Sequence, residues 1–301
     1  MGTSNSYGGS GGGSPLIPSW LSDDGGPVSP DEGAPLPVPT PAQPPLPVPA
    51  PPAGPVPVPP APALAPLPTG GDPQRFKTAR NNFSRFVASG GQNRRSLGRA
   101  LSGYVSRSSG GSRSAAQRMA PSRHSTARLA NVLSQAVGGN AQEALRTLGL
   151  EKLAGSPIEE IFLGIMEAVC SPGGAIDESI ARDAFVETIA ELAENGITDF
   201  NSLTVEQVQT ILELNVAHAI EARICNDIGA NAVSLPANPA EAAQVQEVLY
   251  EFIERSVSDA LANNSTGPTM TQDQISKTID SVYEQSFSIL QSMAEAEVDK
   301  Q

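Results

Sequence analysis

Residues 156–170 read SPIEEIFLGIMEAVC, and the pattern in this stretch recurs through the second half of the chain. Its apolar side chains are spaced three and four residues apart, which is the spacing of one face of an α-helix. Ser156 and Glu159 have the form of a capping box, with Pro157 at the first helical position. The stretch therefore predicts a helix with one buried face. The residues of that face are Ile158, Ile161, Phe162, Ile165, Met166 and Val169.

The same signals predict further helices after this one. Thr204, Asn238 and Thr271 are each followed three residues later by Glu or Gln, which indicates three more helix starts. Glycines mark several helix ends, and no alternating β-branched segment competes. The pattern predicts an all-α fold, a helical bundle. The predicted helices lie near 140–149, 157–170, 177–194, 205–228, 239–262 and 272–296.

Composition divides the 301 residues into four parts. Residues 1–21 are a Gly/Ser-rich N-terminal linear motif, and residues 22–72 are a Pro-rich linker; together they hold five acids and no Lys or Arg. Residues 73–131 form a basic helical segment with 12 Lys or Arg and no acid. Residues 132–301 form an acidic helical domain with 27 acids and 7 bases. The net charge of −13 therefore describes no single part of the chain.

The first two parts are predicted to form a disordered arm before the bundle. Each Pro removes a backbone donor and favours an extended polyproline II conformation, so the linker is interpreted as a spacer. The only Trp, Trp20, stands near Leu16 and Ile17, and a linker has no need for such apolar side chains. They indicate a motif that docks into a partner's pocket. The alternative is that Trp20 packs against the chain's own helices.

The basic segment indicates one of two roles. It binds nucleic acid, or it is a cationic region whose charge is covered by protein. Its aromatic residues offer stacking surfaces, but they also recur at the spacing of a buried helix face. The neighbouring acidic helices, or a bound protein, would otherwise balance the charge. The candidate nucleic-acid contacts are Arg80, Arg85, Arg94 and Arg95.

Catalytic and metal-binding patterns are sparse in this chain, which has two His and two Cys. Glu213, His218, Glu221 and Cys225 fall near one side of a predicted helix, but no other helix offers a matching set for a metal pair. His218 is interpreted as a core or interface residue. We predict no enzymatic activity, no metal and no cofactor.

The N-terminus and the apolar windows indicate where the protein acts. No secretory signal is present, and the longest apolar window, residues 161–170, is too short to span a membrane. We therefore predict a cytoplasmic protein without a membrane partner. Gly2 follows Met1, so removal of Met1 leaves an unhindered α-amine that is suited to be an acceptor substrate. Residues 1–6 also fit a myristoylation pattern loosely, which is the alternative use of Gly2.

Several stretches outside the Pro-rich linker together point to a known family. They are MGTS (1–4), PLIPSW (15–20), ARNNFSRF (79–86), LGRA (97–100), PIEEIFLG (157–164), LAENGITD (192–199) and HAIEAR (218–223). In combination they resemble the QatB proteins of the bacterial Qat antiphage system. Ser19 departs from the family, in which Pro is more usual before the Trp.

The resemblance implies a non-enzymatic component that acts beside an ATPase, a QueC-like enzyme and a TatD-like nuclease. It implies that the QueC-like partner binds this protein and attaches a deazaguanine-type base to the amine of Gly2. Under this interpretation Thr3 and Ser4 are recognition contacts, Trp20 is an anchor, and the Pro-rich linker provides reach.

Overall fold

The computed structural model describes residues 74–172, 174–229, 238–264 and 270–300, and helices dominate all four ranges. These ranges contain no β-strand. The prediction of an all-α helical bundle is confirmed. The predicted N-terminal linear motif (1–21) and Pro-rich linker (22–72) lie outside the described residues.

Ten α-helices occur in the described ranges. None of these helices has both the length and the apolar character that crossing a membrane requires. The helices are α1 (Lys77–Ala88), α2 (Arg94–Gly103), α3 (Ser112–Gln117), α4 (Ala120–Gln135), α5 (Ala141–Thr147), α6 (Ile158–Val169), α7 (Ile176–Glu191), α8 (Val205–Ile224), α9 (Pro239–Ala262) and α10 (Gln272–Asp299).

Three helix starts follow the capping chemistry predicted from the sequence. The Thr204 hydroxyl accepts a hydrogen bond from the Gln207 backbone N–H (3.2 Å), and the Gln207 side chain accepts one from the Thr204 N–H (3.0 Å). Thr271 begins α10 with the same reciprocal box, and Asn238 caps α9. Each cap satisfies backbone donors that a helix start otherwise leaves without partners.

The start of α6 differs from the capping box predicted at Ser156 and Glu159. The helix begins at Ile158, and the N-cap is Pro157, with φ −50° and ψ 147° and no capping side chain. The extended backbone of Pro157 places this residue itself at the N-cap position. Ser156 therefore lies one residue before the cap and does not cap the helix. The predicted box is wrong, although the helix and its buried face are confirmed.

All six helices predicted between residues 140 and 296 are present, with small differences at their ends. Helix α7 stops at Glu191, before the predicted 194, because the chain turns there toward Gly196, which has a φ of 67°. The helix predicted at 205–228 is α-helical to Ile224 and continues as one π turn, Cys225–Gly229. This π turn holds Asp227, which contacts the basic segment.

Helices α8 and α10 each pack against several other helices of the bundle. Helix α10 packs against α2, α3, α4 and α9, while α8 packs against α4, α7 and α9. Phe86 and Leu97 of the basic segment belong to the same core as Ile211 and Phe287. Helix α4 also runs through residues 131 and 132, where the charge of the sequence changes sign. The basic and acidic segments therefore share a core, and the four-part division stays a prediction from composition.

A buried polar network joins four helices inside this core. The Thr126 hydroxyl of α4 donates to the Asn215 side chain of α8 (2.8 Å) and lies 3.1 Å from the Tyr283 hydroxyl of α10. Asn215 also reaches Thr188 of α7 (3.5 Å). Because these polar groups are satisfied only in one arrangement, the network fixes how α4, α7, α8 and α10 meet.

Candidate partner-binding surfaces

The predicted acceptor Gly2 and the predicted partner contacts all lie outside the described residues. Their roles therefore stay predictions. The contacts are Thr3, Ser4, Leu16, Ile17 and Trp20.

Arg80, one of the four candidate nucleic-acid contacts, is held by groups of the protein itself. Its guanidinium donates to the backbone carbonyl of Asp227 (2.9 Å) and lies 5.7 Å from the centre of the Phe76 ring. The bond to Asp227 is structural, since it joins α1 to the π turn after α8. Arg80 is half-buried.

The other three candidate arginines are exposed. Arg94 at the start of α2 forms an ion pair with Glu251 of α9 (3.5 Å), and both side chains are about half exposed. Among the described residues, Arg85 and Arg95 have no ion-pair partner. Arg85 and Arg95 therefore remain available to an external anion.

The aromatic residues of the basic segment are not available for stacking on bases. Phe76, Phe83, Phe86 and Tyr104 are all buried, with Phe76 stacked on Tyr104 at 5.8 Å between ring centres. Their spacing was compatible with stacking on bases or with a buried helix face, and in the fold they are core residues.

Asp227 is the centre of a buried polar cluster that joins the basic segment to α8. Its Oδ2 atom accepts hydrogen bonds from the Tyr104 hydroxyl (2.9 Å), Arg118 Nη2 (3.1 Å) and Arg223 Nε (3.2 Å). Arg223 also pairs with Asp177 of α7. We call Tyr104, Arg118, Arg223 and Asp227 the Asp227 cluster.

Burial is the main cause of the pKa shifts of Tyr104 and Arg118 in the Asp227 cluster. Burial, and then the negative charge of Asp227, raises the pKa of Tyr104 above its ordinary value. The phenol therefore stays protonated and donates to the carboxylate. Burial lowers the pKa of Arg118 from its ordinary value. The cluster is an ion-pair network that joins the basic segment to the end of α8.

Sequence reasoning missed the Asp227 cluster, although one signal was present. Arg223 stands between Ala222 and Ile224 in an apolar run of α8, and a buried guanidinium needs a carboxylate partner. Asp227, four residues further on, is in reach. Tyr104 comes from a distant part of the chain, which no pattern in a single sequence connects to Asp227.

A groove with two adjoining halves crosses the surface beside α8 and α9. The apolar half has a volume of about 790 Å³ and is lined by Phe83 of α1 with Val245 and Leu249 of α9. The acidic half has a volume of about 460 Å³ and lies between α7, α8 and α9. We call the whole depression the α8–α9 groove. The residues that line both halves are Glu221, Cys225, Ala243 and Gln246.

His218 is buried in the wall of the acidic half, as predicted for a core or interface residue. Its ring stacks on Tyr250 at 4.9 Å between ring centres, and its Nε2 atom lies 3.1 Å from a carboxylate oxygen of Glu191. The Nδ1 atom lies 3.9 Å from Glu221. Burial, and then the charges of nearby carboxylates, Glu191 first, raises the pKa of Tyr250.

The side of α8 that carries His218, Glu221 and Cys225 faces this groove. Burial, and then the charge of Glu221, raises the pKa of Cys225 to about 12, so the thiol is neutral near pH 7 and a weak nucleophile. Burial also raises the pKa of Glu213. Within the described ranges, no group of three or more His, Cys, Asp or Glu is arranged to hold a metal ion.

Comparison with known families gives a match over most of the described helices. A family model described as "QatB: Qat anti-phage system associated protein QatB" matches residues 110–290, which is more than half of the chain. The match begins before α3 and continues into α10, so it spans most of the Asp227 cluster, the buried polar network and most of the α8–α9 groove. Searches of curated proteins and of solved structures found no match.

Proposed function

Because this chain belongs to the QatB family of Qat anti-phage system associated proteins, we propose that it serves phage defence as an acceptor protein and not as an enzyme. It is a component of the Qat anti-phage system. In the proposed function, a QueC-like partner enzyme binds the protein in the cytoplasm and modifies the N-terminal glycine. The system ATPase and a TatD-like nuclease act beside this complex.

The proposed chemistry forms an amide at Gly2 after Met1 has been removed. The partner first joins a deazaguanine carboxylate to ATP, which releases pyrophosphate and leaves an acyl adenylate. The unprotonated amine of Gly2 then attacks the acyl carbon, so that a C–N bond forms, the bond to AMP breaks, and the amine loses a proton. An α-amine has a pKa of about 8, so an appreciable fraction is unprotonated near neutral pH.

The family match is the observation that carries the proposal, and the composition of the arm supports it. Gly2 has no side chain to obstruct an active site, and a Gly/Ser run follows it. Thr3 and Ser4 offer polar contacts beside the acceptor, while Leu16, Ile17 and Trp20 offer apolar anchors. The Pro-rich composition of residues 22–72 supports a role of the linker in reach, because Pro-rich sequences favour polyproline II, which extends by about 3.1 Å per residue.

Intact mass spectrometry of the co-expressed system tests this function. We expect the full chain to lose Met1 and gain the mass of one deazaguanine acyl group when it is co-expressed with the QueC-like partner. Gly2→Pro replaces the primary amine and is expected to abolish the addition, whereas Gly9→Pro in the same arm leaves it intact. An unmodified N-terminus in a system that still protects cells from phage would contradict the proposal.

A second candidate function is nucleic-acid binding, and the exposed arginines Arg85 and Arg95 favour it. Neither has an ion-pair partner among the described residues. Binding of this kind would depend on phosphate contacts and would weaken steeply with salt, because the aromatic residues are buried.

The test of the second function reverses charges on the exposed arginines only. Arg85→Glu with Arg95→Glu is expected to abolish low-salt binding to DNA or RNA in a fluorescence anisotropy titration. Arg80 is left unchanged because it holds α1 to the π turn. If the pure wild-type protein ignores both nucleic acids at low salt, this function is excluded.

A further inference from the structure

In the α8–α9 groove an apolar depression and an acidic one lie side by side. Four side chains line both halves, so a single bound segment can occupy the two together. The shared residues include Ala243 and Gln246, both on α9. The groove therefore presents apolar and acidic side chains next to each other.

The apolar half has the properties of a protein-binding surface. Its wall includes Phe83, Val245 and Leu249, whose side chains are otherwise in the core. A volume of about 790 Å³ lies within the usual range of about 300–1,000 Å³ for binding pockets. Binding pockets are typically lined by apolar side chains with a few polar groups beside them, as here.

The carboxylates that line the acidic half favour a positively charged occupant. Asp183, Glu187 and Glu191 follow one another at four-residue intervals along α7, and Glu221 and Glu247 face them from α8 and α9. No Lys or Arg lines this half among the described residues. Like charges four residues apart on a helix destabilise one another, so a cation placed between them relieves repulsion.

The carboxylates in the acidic half are not neutralised by the protein's own described cations. Asp183, Glu187 and Glu247 have no ion-pair partner in the described ranges, and Glu191 and Glu221 meet only the His218 ring. The exposed Arg94 is paired elsewhere, with Glu251. The acidic half is therefore complementary to an external basic group.

We propose that the α8–α9 groove binds a basic amphipathic segment of the partner enzyme, with apolar side chains in the apolar half and Lys or Arg in the acidic half. This inference rests on the proposed function, since it assigns a docking surface to the same partner. The groove then provides affinity, and the N-terminal arm presents the acceptor.

The test measures binding of purified QueC-like partner enzyme to the full chain by isothermal titration calorimetry. Glu187→Lys with Gln246→Lys places cations in both parts of the groove at positions that are exposed in the fold. The matched control, Glu160→Lys with Gln142→Lys, makes the same change of charge on α6 and α5. We expect the groove variant to weaken binding at least tenfold and the control to stay within twofold of the wild type. We also expect wild-type affinity to fall with salt more steeply than that of the groove variant.

The outcomes separate this inference from the proposed function. If the wild-type chain does not bind the partner, the proposed function fails and the docking site with it. If the wild type binds and the groove variant binds equally well, the groove inference is overturned while the proposed function stands. If light scattering finds the wild type dimeric and the groove variant monomeric, the occupant is a second copy of this chain, which also overturns the inference.

Discussion

Asp227 is the residue whose contacts link the basic segment most closely to α8. One carboxylate oxygen receives the Tyr104 phenol and two guanidinium groups, while the backbone carbonyl of the same residue receives Arg80. The side chains of Asp227 and Arg223 are each only 9% exposed. Removing the charge of Asp227 leaves the half-buried Arg118 without a carboxylate partner and Arg223 with Asp177 alone, which costs more than losing a surface ion pair.

We predict that Asp227→Asn destabilises the fold by about 3 kcal/mol, because an amide keeps the shape but not the charge that compensates Arg118 and Arg223. The free energy of unfolding from urea titration measures this. The matched control is Glu284→Gln, which removes the acid from an exposed pair with Arg113. The control is expected to cost less than about 1 kcal/mol. Equal losses in the two variants would show that Asp227 does no more than a surface acid.

Among the elements, α2 and α10 approach most closely at Gly98. A Cβ atom at this position would lie 2.5 Å from the backbone oxygen of Ala294. No side chain can move aside there, since the opposing atom belongs to the backbone of α10. Gly98 thus allows the basic helix α2 to pack directly on the last helix of the acidic domain.

Gly98→Ala is expected to lower the free energy of unfolding by about 1–3 kcal/mol, because overpacking outweighs the gain of about 1 kcal/mol in helix propensity. Gly103 ends the same helix with a φ of −66°, and a Cβ atom added there would meet nothing within 4 Å, so Gly103→Ala is its control. The control should leave stability unchanged or raise it slightly. Chemical denaturation of both variants decides the matter, and a stabilised Gly98→Ala protein would contradict the close approach.

Features that depend on local patterns within one helix could be predicted from the sequence. Capping residues such as Thr204 and Thr271 act on their own helix, so they locate helix starts without knowledge of the fold. The predicted start of α6 failed because Pro157 itself took the cap position. The Asp227 cluster and the α8–α9 groove could not be predicted, because each combines side chains from helices far apart in the sequence.

In the folded molecule, ion pairs bring part of the basic segment together with the acidic residues that follow it in the sequence. Arg94, Arg113, Arg118 and Arg123 of the basic segment each pair with an acid from residues 132–301. The acidic body therefore covers part of the cationic surface, as one interpretation of the sequence expected. What remains exposed is a smaller arginine surface and, on α7–α9, an acidic groove.

Alkaline pH is expected to unfold the domain through two buried tyrosines, Tyr104 and Tyr283, and the half-buried Tyr250. Burial raises the pKa of Tyr104, Tyr250 and Tyr283, which lie in the Asp227 cluster, the groove and the polar network. The folded state therefore keeps protons that the unfolded state releases from about pH 10, so stability is full below that pH and falls above it.

Absorbance at 295 nm and far-ultraviolet circular dichroism, recorded together during titration, test this. Phenolate from the three tyrosines should appear only as helix is lost, and Tyr7→Phe removes the signal of the fourth tyrosine. If all three tyrosines ionised near pH 10 while the circular dichroism signal of the helices stayed unchanged, the prediction would be contradicted.

We propose that Gly2 of this QatB-family protein is the acceptor of a partner enzyme. Its most direct test is fragmentation mass spectrometry of the full chain after incubation with purified QueC-like partner, ATP and the deazaguanine carboxylate. We predict one added acyl group, located on the amine of residue 2 and dependent on ATP. Complete reaction mixtures that leave the N-terminus unchanged, or that place the added group on a lysine, would contradict it.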